Sequence, residues 1–163
     1  MGIGTEIKDD VSLADAVVSY DTSGALDAVS ATTYVAIHGV ISVGELGLMA
    51  EAKDKTNLAD KSKKYGAGMQ DAPDKTIKGQ AVPFQGADGV YLAEYTAQKA
   101  FMDVCRAKGT FMVKIEWADG ETDEFLFKSL GLMIGEPKSS EWKEFSVSGK
   151  QNSDVTNTPP TVA

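Results

Sequence analysis

Apolar and polar positions alternate along several stretches of this chain, and the phase of the alternation lays out its elements. From Thr33 to Val43, one parity carries Val35, Ile37, Ile41 and Val43 and the other carries His38 and Ser42, a period of two with β-branched enrichment that predicts a strand. After a turn or bulge at Gly44-Glu45, Leu48, Ala50 and Ala52 alternate with Met49, Glu51 and Lys53, so a second strand is expected over Leu46 to Lys55. Residues 56 to 73 hold Gly66, Gly68, Pro73 and many polar groups and read as a long exposed loop. Loops of that length inside a compact domain are usually functional. A weaker strand pattern resumes over Asp74 to Phe84.

The period then changes. Leu92, Tyr95, Met102 and Cys105 recur at helical spacing, and with Asp88 as N-cap they predict a helix from about Val90 to Ala107 that lays this face on the sheet. Arg106 and Lys108 suit its C-terminal dipole, and Gly109 supplies a stop. Phe111, Val113, Ile115 and Trp117 restore the strand period, and Asp119-Gly120 signals a tight hairpin into Thr122 to Ile134. In that strand Phe125 and Phe127 share one phase while Leu130, Leu132 and Ile134 share the other, which a bulge near Ser129 would reconcile. Glu141 to Lys150 reads as the last strand.

Residues 1 to 32 mix Asp, Ser, Ala, Thr and Gly without a sustained period and read as an N-terminal arm. Residues 151 to 163, with Pro159-Pro160, read as a flexible tail. The expected fold is mainly β: a sandwich or barrel of about six strands over residues 33 to 150, with one flanking α-helix, a long loop and extended terminal arms.

Composition removes function classes from this picture. The chain has 163 residues, 42% of them apolar, enough for one core, and no long apolar run or basic-then-apolar leader pattern, so membrane spanning and classical secretion are disfavoured. Sixteen Lys and Arg against 24 Asp and Glu leave a net charge of −8, which speaks against a generic phosphate-gripping surface. A single Cys105 and a single His38 make neither a disulfide nor a zinc set. His38 lies in a strand-like run with no nucleophile selected beside it, and Cys105 reads as a small apolar core residue. No phosphate-cradling glycine pattern occurs, and Glu116, Asp119, Glu121, Asp123 and Glu124 lack the order of a calcium loop. No catalytic residue, cofactor or metal is expected, and the chain reads as a non-enzyme.

The order of features resembles the tail tube protein, or major tail subunit, of long-tailed bacteriophages. The resemblance rests on the N-terminal arm, the strand Tyr34 to Val43 with its adjoining strand and long loop, and the helix at about 90 to 107. It also rests on the segment Val113-Lys114-Ile115-Glu116-Trp117-Ala118-Asp119-Gly120-Glu121-Thr122-Asp123-Glu124-Phe125 and the closing Trp142-Lys143-Glu144-Phe145-Ser146-Val147-Ser148-Gly149. It implies a virion subunit, assembled in the host cytoplasm, that forms hexameric rings stacked into a hollow tube. DNA would pass through that tube without specific binding, and other tail proteins would meet its ends. Tube proteins of contractile tails, pyocins and type VI secretion are similar in fold. A non-catalytic binding module or another virion structural sandwich is the competing reading, and an enzyme built on a sandwich is a third.

One charge asymmetry bears on assembly. Lys53, Lys55, Lys61, Lys63 and Lys64 stand against Asp54 and Asp60, a local charge of +3 on an otherwise acidic chain. The Trp117 to Phe125 hairpin carries Asp119, Glu121, Asp123 and Glu124 with no basic residue among them. These nine residues are the expected interface between subunits. Weak complementary contacts repeated around a ring act together and fix register.

Overall fold

The computed structural model describes residues 13–57, 59, 62–71, 74–83 and 92–161. After a 3-10 turn at Leu13–Asp15 come β1 (Val17–Asp21), β2 (Tyr34–Ala36), β3 (Val40–Ser42), β4 (Met49–Asp54), β5 (Tyr65–Asp71), β6 (Asp74–Gln80), α1 (Leu92–Arg106), β7 (Thr110–Glu116), β8 (Thr122–Ile134), β9 (Glu144–Gln151) and β10 (Thr156–Thr158). The fold is mainly β. One antiparallel sheet runs β2-β1-β7-β8-β9-β6-β3, with β10 added against β8, while β4 and β5 form a separate two-stranded hairpin.

The two edges of that path belong to one stretch of chain. Seven strands laid flat would put β2 and β3 about 29 Å apart at roughly 4.8 Å per strand. Ala36 and Val40 are only four residues apart, at most about 15 Å. The sheet therefore curls nearly closed, and the expected single strand Thr33–Val43 is two edge strands joined at a corner. Gly39 makes the corner with φ 80°, and an added Cβ would run into the Gln80 carbonyl. Ile37 continues the β1 pairing by donating to Val18 O (2.7 Å), and Gly39 O accepts the Gln80 amide (2.7 Å). The buried Gln98 of α1 finishes the seam: its Nε2 donates to His38 O and Gln80 O (both 2.9 Å), and its Oε1 accepts from Val82 N (2.8 Å).

The helix packs into the curl. Phe101 is fully buried, with ring centroids 5.1 Å from Tyr20, 5.7 Å from Phe111 and 6.4 Å from Phe145. Those rings come from β1, β7 and β9. Met102 and Cys105 are buried on the same face as expected, whereas Phe101 and Gln98 were absent from the sequence pattern. Asp88 and Val90 lie outside the described residues. The helix ends at Arg106, Lys108 in the turn beyond it takes φ 58°, and Gly109 is needed for close approach to Val104 rather than for a left-handed turn.

β7 and β8 form the expected hairpin, with Gly120 at φ 91° in its turn. The expected bulge falls at Leu130, between the Ser129↔Gly149 and Gly131↔Ser148 pairs. It turns Leu132 back toward the core and leaves Leu130 exposed.

Three expectations need correction. Residues 17 to 21 of the expected arm are β1, paired on both sides between β2 and β7, with Val18 and Tyr20 in the core. Asp21 organises the loop between β1 and β2, because its carboxylate accepts from Ser23 N and Oγ, Ala25 N and Thr33 N. Burial alone would raise that carboxyl's pKa, but these hydrogen bonds hold it below its ordinary value. The expected loop 56–73 contains β5. The expected tail begins with Gln151, still in β9, and includes β10.

Candidate assembly surfaces

β4 and β5 pair from Met49↔Asp71 to Asp54↔Tyr65, with an irregularity between Ala50 and Ala52. All six residues of β4 are exposed, Met49 and Tyr65 by 75% and 62%. Among the described residues, neither strand packs extensively on any element but the other. The tip is held by local polar bonds: Lys55 N to Lys64 O (2.8 Å), Lys64 N to Thr56 Oγ1 (2.8 Å) and Thr56 N to Asp54 Oδ1 (2.9 Å). The Thr56 hydroxyl and amide keep the Asp54 carboxyl below its ordinary pKa. Lys53, Lys55, Lys63 and Lys64 are exposed here, and the Lys55 side chain lies across Gly66, where a Cβ would collide with it. Lys61 lies outside the described residues.

The acidic set sits on the β7–β8 hairpin, and its carboxylates already have partners. Asp119 Oδ1 accepts the Glu121 amide (2.9 Å). Asp123 accepts from the Trp117 indole (2.8 Å) and from Asn157 Nδ2 (2.7 Å), which also reaches Glu121 (2.5 Å). Glu124 accepts the Tyr34 hydroxyl (2.7 Å), and the Lys114 ammonium lies 4.8 Å from the centroid of that ring. Burial and the Glu124 charge both raise the Tyr34 pKa. Asn157 belongs to β10, which pairs Thr156↔Glu124, Asn157↔Asp123 and Thr158↔Thr122. Sequence reasoning missed Asn157 and Tyr34. An isolated Asn in a Thr-Pro-rich stretch and a Tyr in a predicted strand carry no local signal for partners 34 and 90 residues away.

The structure thus puts four of the five lysines on one hairpin and the four acids on another. Among the described residues the first packs extensively only on itself, and the second is fixed in place. Elsewhere the chemistry is sparse. Cys105 is fully buried, and burial pushes its thiol up to about 12. His38 is exposed at the corner, beside a shallow cavity of about 470 Å³ shared with Gln80, Pro83 and Glu94. Among the described residues no cluster of three or more His, Cys, Asp or Glu could hold a metal, and no helix is long and apolar enough to cross a membrane.

The sequence matches no family model and no curated protein. The fold does have solved counterparts. A chain from the tail of an empty gene transfer agent particle, refined with C6 symmetry, superposes with a TM-score of 0.58 at 12% identity, covering 90% of this chain and 97% of its own. A chain of the sheath-tube complex of an extracellular contractile injection system gives 0.59 at 8% identity, covering 93% of each. The SPP1 tail tube gives 0.57 at 10% identity, covering 91% of this chain and 78% of its own. This chain shares their fold.

Proposed function

We propose that this protein is a non-enzymatic structural subunit that assembles with copies of itself into the stacked, hexameric rings of a phage tail tube. One observation carries the reading: a two-stranded hairpin stands apart from a nearly closed body, and among the described residues it packs extensively on no other element. Such a hairpin is marginal in water by itself and becomes a stable element once another surface covers it. The shared fold supports a second copy as that surface, because solved proteins of this shape come from tails and tubes.

Lys53, Lys55, Lys61, Lys63 and Lys64 then meet an acidic face of a neighbour, with Asp119, Glu121, Asp123 and Glu124 as the receiving set. Preorganised carboxylates suit that role, since a partner need not order them on contact. Further tail proteins close the tube ends, DNA passes through without specific binding, and the site of action is the virion after assembly in the host cytoplasm. The net charge of −8 agrees with a duct that does not retain phosphates. The match to a contractile injection system favours a second reading, in which the same subunit serves an injection machine.

Size-exclusion chromatography with light scattering, followed by negative-stain microscopy at rising concentration, tests the proposal. Rings or tubes are expected. A protein that stays monomeric at millimolar concentration overturns it.

A further inference from the structure

The hairpin does not leave the body on a free tether. Its connector, residues 43 to 48, crosses the Asp74–Lys150 end of the β6–β9 ladder, where Val43 is buried and Leu46 packs against the core. Two side chains from inward-facing strand positions rise to meet it. Lys75, second residue of β6, shares its inward phase with Ile77 and Gly79 and is 3% exposed. Its Nζ donates to the Glu45 carbonyl and lies 4.8 Å from the centroid of the Phe125 ring. Gln151, last residue of β9, shares the phase of Phe145, Val147 and Gly149 and is likewise 3% exposed. Its Oε1 accepts the Gly47 amide (3.1 Å), while its Nε2 donates to Ser153 O (2.6 Å). Ser153 Oγ in turn accepts the Leu126 amide from β8 (2.9 Å), just before the chain enters β10.

The chemistry of these two positions is unexpected for an inward strand phase. A buried ammonium is costly, and an apolar residue of similar volume would fill the end of the core without that penalty. What an apolar residue cannot do is satisfy Glu45 O and Gly47 N, backbone groups of a connector that belongs to no ladder. One donor and one acceptor answer them from two different strands.

We propose that Lys75 and Gln151 are positioning residues that fix the direction in which the β4–β5 hairpin leaves the body and couple it, through Gln151 and Ser153, to the segment that carries β10. The value of this clamp for assembly rests on the reading of the hairpin as a subunit contact, but the clamp itself is a property of one chain.

Paired spin labels on the full-length monomer test it, at Ala52→Cys on the exposed β4 strand and Glu136→Cys in the body. Cys105 is fully buried and stays unlabelled. A single narrow distance distribution is expected. Lys75→Met should at least double its width without lowering the melting temperature, and Gln151→Leu should do the same. Deleting residues 153 to 163 should broaden it as Gln151→Leu does. In polymerisation, Lys75→Met should raise the critical concentration about tenfold, because an unfixed hairpin must be ordered at every contact. An unchanged width in Lys75→Met overturns the clamp. A widened distribution with normal polymerisation upholds the clamp and overturns the hairpin as the contact.

Discussion

The two hairpins of this molecule are built from the same backbone bonds and have opposite standing. β7 and β8 pair over seven registered positions, and Phe111, Val113, Phe125 and Phe127 turn one face into the core. β4 and β5 pair over five registered positions with an irregularity among them, and β4 buries no residue at all. A ladder hydrogen bond contributes little net, since water satisfies the same groups in the unfolded chain. Burial of one face is what fixes register, because a slip of one residue would expose every core side chain. The first hairpin is therefore complete within the subunit. The second lacks such a buried face in the strand β4, and the contrast becomes testable wherever one hairpin can be altered without the other.

The largest expected effect is all-or-none and falls on assembly. Reversing Lys53, Lys55, Lys63 and Lys64 to Glu should abolish tubes at moderate salt, because in the proposed contact four cations would become four anions facing acidic neighbours. Exposed ion pairs contribute only about 0–1 kcal/mol each, so the monomer's melting curve should not move. Tubes of normal length, seen by microscopy, would refute the charge-paired contact.

On stability the order reverses. Phe127→Ala should cost about 3–5 kcal/mol in chemical denaturation, as expected for a fully buried Phe. Met49→Ala on the other hairpin should stay within about 0.5 kcal/mol in the monomer. A loss above about 1 kcal/mol at Met49 would mean that β4 already packs on its own body.

Legibility in the sequence divides along the same line. The period-2 runs of β7 and β8, the Asp119-Gly120 turn and the bulge forced by the phase change at Ser129 are all written locally, because one face of each strand meets the core. β5 was hidden, since Tyr65-Gly-Ala-Gly-Met-Gln-Asp is broken by two glycines and ends in polar residues. The corner at Gly39 was hidden inside an unbroken alternation. The inward parity changes at the bend, since Ile37 is buried before it while beyond it Val40 packs against the core and Ile41 is exposed, and only closure of the sheet reveals the break. β1 was missed because Val18 and Tyr20 form too short a run. Of the eight charged positions picked out for the site that lie among the described residues, the clustering into a basic and an acidic hairpin was legible. The partners that hold the acids, Asn157 and Tyr34, were not.

Asp21 offers a middle-sized test of β1 and the loop behind it. Asp21→Ala removes an acceptor that serves four donors across residues 23 to 33 and should cost about 2 kcal/mol. The loss should appear in hydrogen exchange as lost protection at the Ala25 and Thr33 amides, with the β4–β5 amides unaffected. Because the folded pKa of Asp21 is lowered, its contribution is present at neutral pH and disappears as pH falls through that folded value. Wild type and Asp21→Ala should converge in stability under acid.

The smallest effect lies at alkaline pH and separates body from hairpin through buried groups alone. Desolvation lowers Lys75 from its ordinary 10.5 to about 8, the Glu45 charge opposing this only in part. Between those values the unfolded chain binds more protons than the folded one, so stability rises with pH from about 8 upward. Cys105 acts in the other direction. Its thiol ionises near 9 when unfolded and near 12 when buried, so above pH 9 the folded state holds the extra proton and stability falls. Tyr20 and Tyr34, both raised by burial, add to that fall above pH 10. Melting temperature measured across pH 7 to 11 should therefore pass through a shallow maximum near pH 9. Lys75→Met should remove the rising limb, and Cys105→Ala should delay the falling one. A wild-type curve that falls steadily from pH 7 would place the Lys75 ammonium in water, and with it the base of the projecting hairpin.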